Sequence, residues 1–450
     1  MAAAAGLRLW GLGASRLSYD ESFTAMAGRL PLGSLFAYLT QHDSHPPLDY
    51  LLHLPLARAG VSELWFRVPS VLCSVAAVGL FAWWLRARGR LAVLATALLA
   101  VNTFQVVHGR QARMYAELEL LGVGIAVLAS AWLVRPRRVH AVLLGVLVFA
   151  GLMTHTSMFL LGAGLLVLPG VRSDRAAWQW RSALLLAVAS WAALWGAAFV
   201  TQAGGGHSAW IPRTTPATLV TALGSLLGAP PDFAIPALVL MLLGAVVLLR
   251  RRDGLGRVWI CCFAVPVALA AVAGLFAPVV LDRTFTLMAW APVLAVACLL
   301  DALIARRAWL GAPAAALVLV FALAPTIGAL TSATGPNAPF RYLAAQVRPG
   351  DVVAVRPATK APELQWSLGV STGSSTGRVP VPTFSPSFGI RIGHATPTGR
   401  LWTFDWHARG TSSFPASNAC HRHWTWGHVQ IHCVDIAAST VSASPVRTGT

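Results

Sequence analysis

The first polar stretch of the chain holds two neighbouring acids, Asp20 and Glu21, and a His-Pro-Pro sequence starts 25 residues after Asp20, at His45. A carboxylate on a polar loop can act as a general base towards a hydroxyl acceptor, while its neighbour orients or binds the substrate. Acids beside a hydrophobic bundle are costly to keep and persist mainly where they do chemistry or hold an ion. The alternative is that they cap a helix starting near Ser22 and interact with its dipole. The residue types leave both interpretations open.

Polar side chains recur where later apolar segments begin or break. Arg113 and Tyr115 open one apolar segment, Arg283 follows Asp282 before another, and His155 lies between two short ones. The planar guanidinium of arginine suits a phosphate. Each residue also has a structural alternative: snorkelling for Arg113, an internally hydrogen-bonded histidine for His155, and an ion pair with Asp282 for Arg283. As a set, these residues suit a lipid-linked phosphate whose transferred group lies near the acids.

His45, Asp49 and His53 are spaced by four residues, so a helix would place them on one face. Such a face could bind a divalent metal ion. Pro46 and Pro47 permit only the first helical turn, however, and the sequence offers no fourth ligand. We therefore predict hydrogen bonding here, no metal site and no required cofactor.

The composition is that of a membrane protein. Hydrophobic residues make up 56% of the 450 residues and charged residues only 11%, and the mean hydropathy is +0.65. The net charge of +18 does not indicate nucleic-acid binding, because the arginines lie in short loops between apolar runs. We predict ten membrane helices. Their ranges are 66–85, 91–108, 114–134, 139–153, 156–170, 182–201, 233–250, 257–277, 284–303 and 309–330.

Every second loop between these helices is rich in arginine. The loaded loops contain Arg86, Arg88 and Arg90; Arg135, Arg137 and Arg138; Arg172, Arg175 and Arg181; Arg250, Arg251, Arg252 and Arg257; and Arg306 and Arg307. The positive-inside rule makes that side cytoplasmic. The acids, the candidate arginines, His155 and the C-terminal region then lie on the outer face of a plasma (inner) membrane.

The composition changes after residue 331, where long apolar runs stop. A short amphipathic helix is predicted at 340–347, and strands at 352–355, 401–406 and 429–434. These elements predict an extracytoplasmic α/β domain over 331–436, followed by a disordered tail over 437–450. Cys420 and Cys433 could form a disulfide there, whereas the other four cysteines lie in apolar runs and are expected to pack.

Four motifs together resemble the GT-C glycosyltransferases, and most closely their protein O-mannosyltransferase and lipid A aminoarabinose transferase branch. The motifs are Tyr19-Asp20-Glu21, His45-Pro46-Pro47-Leu48-Asp49-Tyr50, Ala112-Arg113-Met114-Tyr115 and Asp282-Arg283-Thr284-Phe285. The resemblance implies an all-α polytopic membrane bundle of about ten helices, over 18–330 with a first outer loop at 18–65, and a small C-terminal extracytoplasmic α/β domain. Such enzymes have a complete helix before the acidic loop, so 1–17 would be a truncated first helix.

The resemblance also implies a function. A sugar, mannose-like or pentose-like, would move with inversion from a polyprenyl-phosphate carrier to a hydroxyl of a glycan, lipid or protein. Asp20 and Glu21 would be the catalytic acids, with Asp20 as the base, and His45 would help to place a substrate. From charge and sidedness we assign the phosphate to Arg113 and Arg283, with Tyr115 and His155 as further substrate-binding residues. A non-catalytic membrane scaffold and a lipid or polysaccharide transporter are the alternatives.

Overall fold

The computed structural model describes residues 1–168, 174–204, 211–251, 253–332, 337–348, 351–356, 363–364, 388–391, 400–406, 423–426 and 429–435. The chain divides into two compact units. The first contains Met1–Leu12, Phe36–Leu52 and Leu64–Ala333, and the second contains Gly13–Leu35, His53–Glu63 and Thr334–Thr450. The predicted tail over 437–450 and Cys420 lie outside the described residues.

Helices dominate the described part of the chain. In chain order they are α1 (Ala2–Leu9), α2 (Tyr19–Ala27), α3 (Leu32–His42), α4 (Leu48–Ala59), α5 (Glu63–Leu85), α6 (Arg90–Val101), α7 (Thr103–His108), α8 (Tyr115–Val134), α9 (Arg138–Leu152), α10 (Met158–Leu166), α11 (Asp174–Gly204), α12 (Pro216–Ser225), α13 (Ala234–Arg250), α14 (Leu255–Trp259), α15 (Val265–Ala273), α16 (Trp290–Arg306), α17 (Ala308–Ser332) and α18 (Asn337–Gln346).

Six helical segments of the described residues are long and apolar enough to cross a membrane. They are Glu63–Arg88, Tyr115–Val134, Arg175–Gly204, Pro231–Arg250, Leu255–Ala273 and Ala308–Thr331. A seventh is counted if the 3₁₀ turn Asp282–Met288 and α16, which meet at a bend of 66°, form one span. These seven match seven of the ten predicted membrane helices, so hydropathy located them correctly.

The other three predicted spans are helical but short or interrupted. The predicted helix 91–108 is divided at Asn102, whose side chain accepts a hydrogen bond from the Gln105 amide at 3.0 Å and caps α7. The pair 139–153 and 156–170 is divided by the turn that contains His155. Helix α9 has 15 residues, a rise of about 22 Å at 1.5 Å per residue, which is less than a hydrocarbon core of about 30 Å. The count of ten crossings therefore remains a prediction.

Helix α16 is the centre of the first unit. It packs against α6, α13 and α17, and every residue from Trp290 to Cys298 is buried. Helix α8 packs closely on the 3₁₀ turn that precedes α16, Asp282–Met288, because Gly122 of α8 has no side chain. A Cβ at Gly122 would lie 1.7 Å from the carbonyl oxygen of Leu287. This close approach brings the start of α8 beside Arg283.

An ion-pair network joins the predicted cytoplasmic loops of the first unit. Asp253 pairs with Arg88 and Arg251, and Asp301 pairs with Arg90 and Arg251. Burial raises the pKa of Asp253, but the hydrogen bond from Arg251 and the charge of Arg88 outweigh it and hold this pKa below its usual value. Two of the arginine-loaded loops therefore meet the C-terminal part of α16 at one end of the bundle, as their alternation along the chain requires.

The second unit contains a five-stranded sheet among the described residues. Its strands are β1 (Val352–Arg356), β2 (Phe388–Arg391), β3 (Arg400–Trp406), β4 (His423–Trp426) and β5 (Val429–Asp435), in the order β2-β1-β3-β5-β4. Only β1 and β3 pair in parallel. The sequence predicted β1, β3 and β5 and missed β2 and β4.

Helix α18 packs on this sheet and completes its core. Phe340 lies 5.0 Å from Phe404 between ring centroids, and both side chains are buried. Asp351 is also buried. Its carboxylate accepts hydrogen bonds from Nε and Nη2 of Arg400, at 3.0 and 2.6 Å, and from the Trp402 indole at 3.0 Å. The buried carboxylate is thus paired and hydrogen-bonded, as a stable core requires. In the same unit the Arg16 guanidinium lies 4.1 Å above the Phe340 ring.

The cysteines divide as the sequence suggested. Cys73, Cys261, Cys262 and Cys298 are free and belong to helices or helical turns of the first unit. Cys433, on β5, is disulfide-bonded. Its predicted partner lies outside the described residues.

Candidate active site

The two acids lie on the first turn of α2, in the second unit. Ser18 is the N-cap: its hydroxyl accepts from the Glu21 amide at 3.4 Å, and the Glu21 carboxylate accepts from the Ser18 amide at 2.8 Å. Glu21 is buried, with 2% of its surface exposed, whereas Asp20 is half-buried. The capping alternative is therefore correct for Glu21, although the helix starts at Tyr19 and not near Ser22. This capping box is a signal that the sequence contained, Ser-x-x-Glu, and that was not used.

The loop between α3 and α4 is organised by Asp43, a residue that the sequence analysis did not select. Its carboxylate accepts from the Ser44 amide at 2.7 Å, contacts His45 Nδ1 at 2.9 Å and accepts a short hydrogen bond from the Tyr50 hydroxyl. His45 comes before the first residue of α4, so His45, Asp49 and His53 do not share one helical face. Asp49 and His53, four residues apart, both lie on α4 and keep the shared face that their spacing predicted, so only His45 drops out of the metal alternative.

Arg113 joins this loop from the segment before α8. Its Nη1 donates to the Tyr50 hydroxyl at 3.1 Å, and its Nη2 lies 3.5 Å from His45 Nδ1. Only 4% of its surface is exposed, so the guanidinium does not snorkel to the interface. A buried guanidinium is retained where a negative group meets it, and Asp43 is one such group.

Charge and burial define the protonation of this cluster. Burial raises the pKa of Asp43, but His45, Arg113 and the Tyr50 hydrogen bond together hold it well below its usual range. Burial and the charge of Asp43 raise the pKa of Tyr50 well above its usual value. Asp43 is therefore an anion and the Tyr50 hydroxyl keeps its proton at neutral pH.

His155 lies in the turn between α9 and α10, outside the predicted spans. Its Nδ1 accepts from the Ser157 amide at 3.0 Å and contacts the Ser157 hydroxyl at 2.9 Å. The imidazole rings of His155 and His45 are 5.3 Å apart, and the Leu48 amide donates to the Met153 carbonyl at 2.9 Å. Burial, and then the charges of His45 and the nearby arginines, lower the pKa of His155 to about 3. His155 is thus a neutral imidazole whose Nε2–H is the remaining donor.

Arg283 and Tyr115 form a second contact. Arg283 Nη1 donates to the Tyr115 hydroxyl at 3.2 Å, and the Tyr115 ring lies 4.8 Å from the ring of His108. Asp282 accepts from the backbone amide of Arg283 at 2.7 Å and so begins the 3₁₀ turn. The charge of Arg283 also acts on His155, which makes it an electrostatic neighbour of the first cluster.

The first unit thus brings together five of the predicted site residues: His45, Arg113, Tyr115, His155 and Arg283. Asp43 and Tyr50 link His45 and Arg113 by hydrogen bonds. The cluster combines two guanidinium groups, a neutral imidazole and tyrosine hydroxyls. These are groups that donate hydrogen bonds to an anion, so the cluster is suited to bind a phosphate.

Comparisons with known proteins identify the fold. Two crystal structures of ArnT from Cupriavidus metallidurans are similar to the chain. The apo structure has a TM-score of 0.57 and 14% identity over 90% of this chain and 92% of that chain. The structure bound to undecaprenyl phosphate has a TM-score of 0.58 and 13% identity over 82% and 84%. ArnT is a lipid A aminoarabinose transferase and a GT-C enzyme. The chain has the GT-C fold.

No protein-family model matches the sequence, and no curated protein matches it. The GT-C fold nevertheless confirms the resemblance seen in four short motifs, at the level of architecture. The chain is a multi-pass membrane protein, mostly helical, with a small sheet. At this level of identity the site must be argued from its own residues.

Proposed function

We propose that the protein is a glycosyltransferase that takes a sugar from a polyprenyl-phosphate carrier. The observation that carries this proposal is the buried cluster around Arg113. The fold that holds this cluster is similar to that of ArnT, which was crystallised with undecaprenyl phosphate. The guanidinium of Arg113, whose charge Asp43 partly balances, lies with further hydrogen-bond donors, and such a set of groups binds a phosphate. A phosphate at the head of an apolar chain suits this set, because the apolar chain can lie between helices.

The proposed reaction needs positive groups that stabilise the charge on the phosphate and one base for the acceptor hydroxyl. The acceptor hydroxyl attacks the anomeric carbon with inversion, the bond from that carbon to the phosphate oxygen breaks, and its electron pair stays on the phosphate. Arg113 and Arg283 stabilise this added charge. The proton of the attacking hydroxyl passes to Asp20, the proposed base. Glu21 supports the helix that presents Asp20, and Tyr115 and His155 orient the donor.

The proposed acceptor is a hydroxyl of a cell-envelope glycan, lipid or protein, and the proposed sugar is mannose-like or pentose-like. Both proposals come from the family resemblance. The proposed location is the plasma (inner) membrane with the site on its outer face.

The first test is ligand binding and turnover by the full chain in nanodiscs. Undecaprenyl phosphate should raise the midpoint of thermal unfolding in proportion to its binding, whereas undecaprenol, which lacks the phosphate, should not. Undecaprenyl-phosphate mannose and undecaprenyl-phosphate arabinose, supplied with membrane extract, should release undecaprenyl phosphate. Binding without any turnover would favour the scaffold alternative. No difference between phosphate and alcohol would contradict the phosphate site itself.

Sidedness has its own test. Arg16 contacts Phe340 within the second unit, which supports one side for the first loop and the C-terminal region. In intact cells, an impermeant maleimide should label the variants Ser34→Cys and Ala345→Cys, both at exposed positions. Ala87→Cys, exposed in an arginine-loaded loop, should be labelled only after permeabilisation. Protection of Ser34→Cys or Ala345→Cys would overturn the proposed topology.

A further inference from the structure

Asp43 contacts several groups of the candidate site at once. One carboxylate oxygen meets the Ser44 amide and His45 Nδ1, and the other meets the Tyr50 hydroxyl. Tyr50 in turn receives the hydrogen bond from Arg113. Only 9% of the surface of Asp43 is exposed, so the hydrogen bonds of its carboxylate are well shielded from water. It therefore links the imidazole, the hydroxyl and the guanidinium of the cluster.

The orientation of His45 follows from this contact. A nitrogen 2.9 Å from a carboxylate oxygen donates its proton to it, because two acceptors at that distance would repel. The 3.5 Å approach of Arg113 Nη2 to the same nitrogen is then a contact of two donors, both attracted to Asp43. Among the residues that the structure describes, no hydrogen bond engages Nε2 of His45, since His45 uses only Nδ1. The second ring nitrogen is thus left for a ligand.

We propose that Asp43 is a positioning residue that holds His45 as an imidazolium, so that Nε2–H donates to the phosphate oxygen as the sugar leaves. This inference rests on the proposed function. In the donor the phosphate carries one negative charge as a diester. When the bond to the sugar breaks, the electron pair gives the released monoester a second negative charge, while the acceptor proton goes to the base. A cationic donor at that oxygen gains strength only as this charge develops.

The neighbours of His45 favour this role over that of a base. Arg113 and the Nε2–H of His155 are hydrogen-bond donors, and the Tyr50 hydroxyl is held between Asp43 and Arg113. An imidazolium whose charge Asp43 balances has no lone pair with which to act as a base, whereas a phosphate anion can accept hydrogen bonds from all of these donors. Asp43 is the group that balances the positive charge of an imidazolium beside Arg113.

Asp43→Asn is the test, because it keeps the shape of the side chain and removes its charge. We expect kcat to fall by about 10- to 150-fold, the factor that a lost hydrogen bond between charged groups carries, with the donor KM changed by less than about threefold. Undecaprenyl phosphate, the dianionic product, should bind more weakly. The double variant Asp43→Asn/His45→Ala should be no slower than His45→Ala alone. Asp232→Asn, at an exposed carboxylate, should behave as the wild type.

Two results would overturn the inference while leaving the proposed function intact. One is wild-type kcat in Asp43→Asn. The other is additive losses in the double variant, which would mean that Asp43 acts without His45. A third measurement needs no turnover: ¹⁵N spectra of histidine-labelled protein, with His45 assigned by its loss in His45→Ala. His45 should have both ring nitrogens protonated in the wild type at neutral pH. A His45 with either ring nitrogen unprotonated at neutral pH contradicts the proposal, whether or not transfer is ever observed.

Discussion

Asp20→Asn is expected to lower sugar transfer by about 10²–10⁴-fold, the contribution typical of a positioned general base. A hydroxyl that attacks an anomeric carbon must lose its proton as the new bond forms. Asparagine has nearly the same shape but cannot accept that proton. Asp20 lies half-buried on the first turn of α2, so the substitution removes one charge without opening a cavity. Initial rates with a polyprenyl-phosphate sugar, normalised to protein amount in the membrane, measure the effect.

Glu21→Gln is the matched control for this prediction. The Glu21 carboxylate accepts from the Ser18 amide, and glutamine can accept the same hydrogen bond, since both residues occur at this position of the capping box. The helix should therefore form, and transfer should fall far less than in Asp20→Asn. Donor binding, followed by the thermal shift with undecaprenyl phosphate, should persist in both variants. Wild-type transfer by Asp20→Asn would mean that the base is another residue.

Hydropathy and arginine placement predicted much of the membrane architecture. Seven of the ten predicted spans are helices long and apolar enough to cross, counting the bent pair as one. Two loops assigned to one side by their arginines meet through Asp253, and Asp301 of α16 pairs with an arginine of each. These features are local, because they depend on runs of one residue type and on their alternation along the chain.

The contacts within the site depend on tertiary packing and could not be predicted. Nothing near Arg113 in sequence indicates that its partner is Tyr50, 63 residues away. The pairing of Arg283 with Tyr115 depends on Gly122, whose missing side chain lets α8 approach the turn at Leu287. Asp43 was overlooked because one acid in a histidine-rich loop has no distinctive pattern, and its importance comes only from the three groups that converge on it.

Strands β2 and β4 were missed for a different reason. Each has four residues, which is too short for alternation to stand out from the surrounding polar sequence. Both lie at the edges of the sheet, and β2 and β4 each pair with only one neighbour. The three strands that were predicted are the inner ones, whose apolar residues form the core. The alternation of apolar residues in the sequence therefore predicted which strands are buried and did not predict the short edge strands that pair with them.

Arg113→Ala is expected to weaken use of the donor by about 1.5–3 kcal/mol, the range for a hydrogen bond to a charged group, or about 10- to 150-fold in kcat/KM. The guanidinium is buried and already oriented by the Tyr50 hydroxyl, so little order must be gained when the phosphate binds. Arg283→Ala should have an effect in the same range, because Tyr115 orients that guanidinium in the same way.

Lysine substitution separates charge from geometry at both positions. Arg113→Lys and Arg283→Lys keep the positive charge but lose the planar fork that binds two phosphate oxygens, so they should restore transfer only in part. Arg213→Ala, at an exposed arginine on the same predicted side, should leave donor use unchanged. Since burial of Arg113 also stabilises Asp43, the unfolding midpoint of each variant must be measured beside its kinetics. Normal donor affinity in both alanine variants would place the phosphate elsewhere, because no reasonable phosphate site at this cluster could lose either charge without loss of binding.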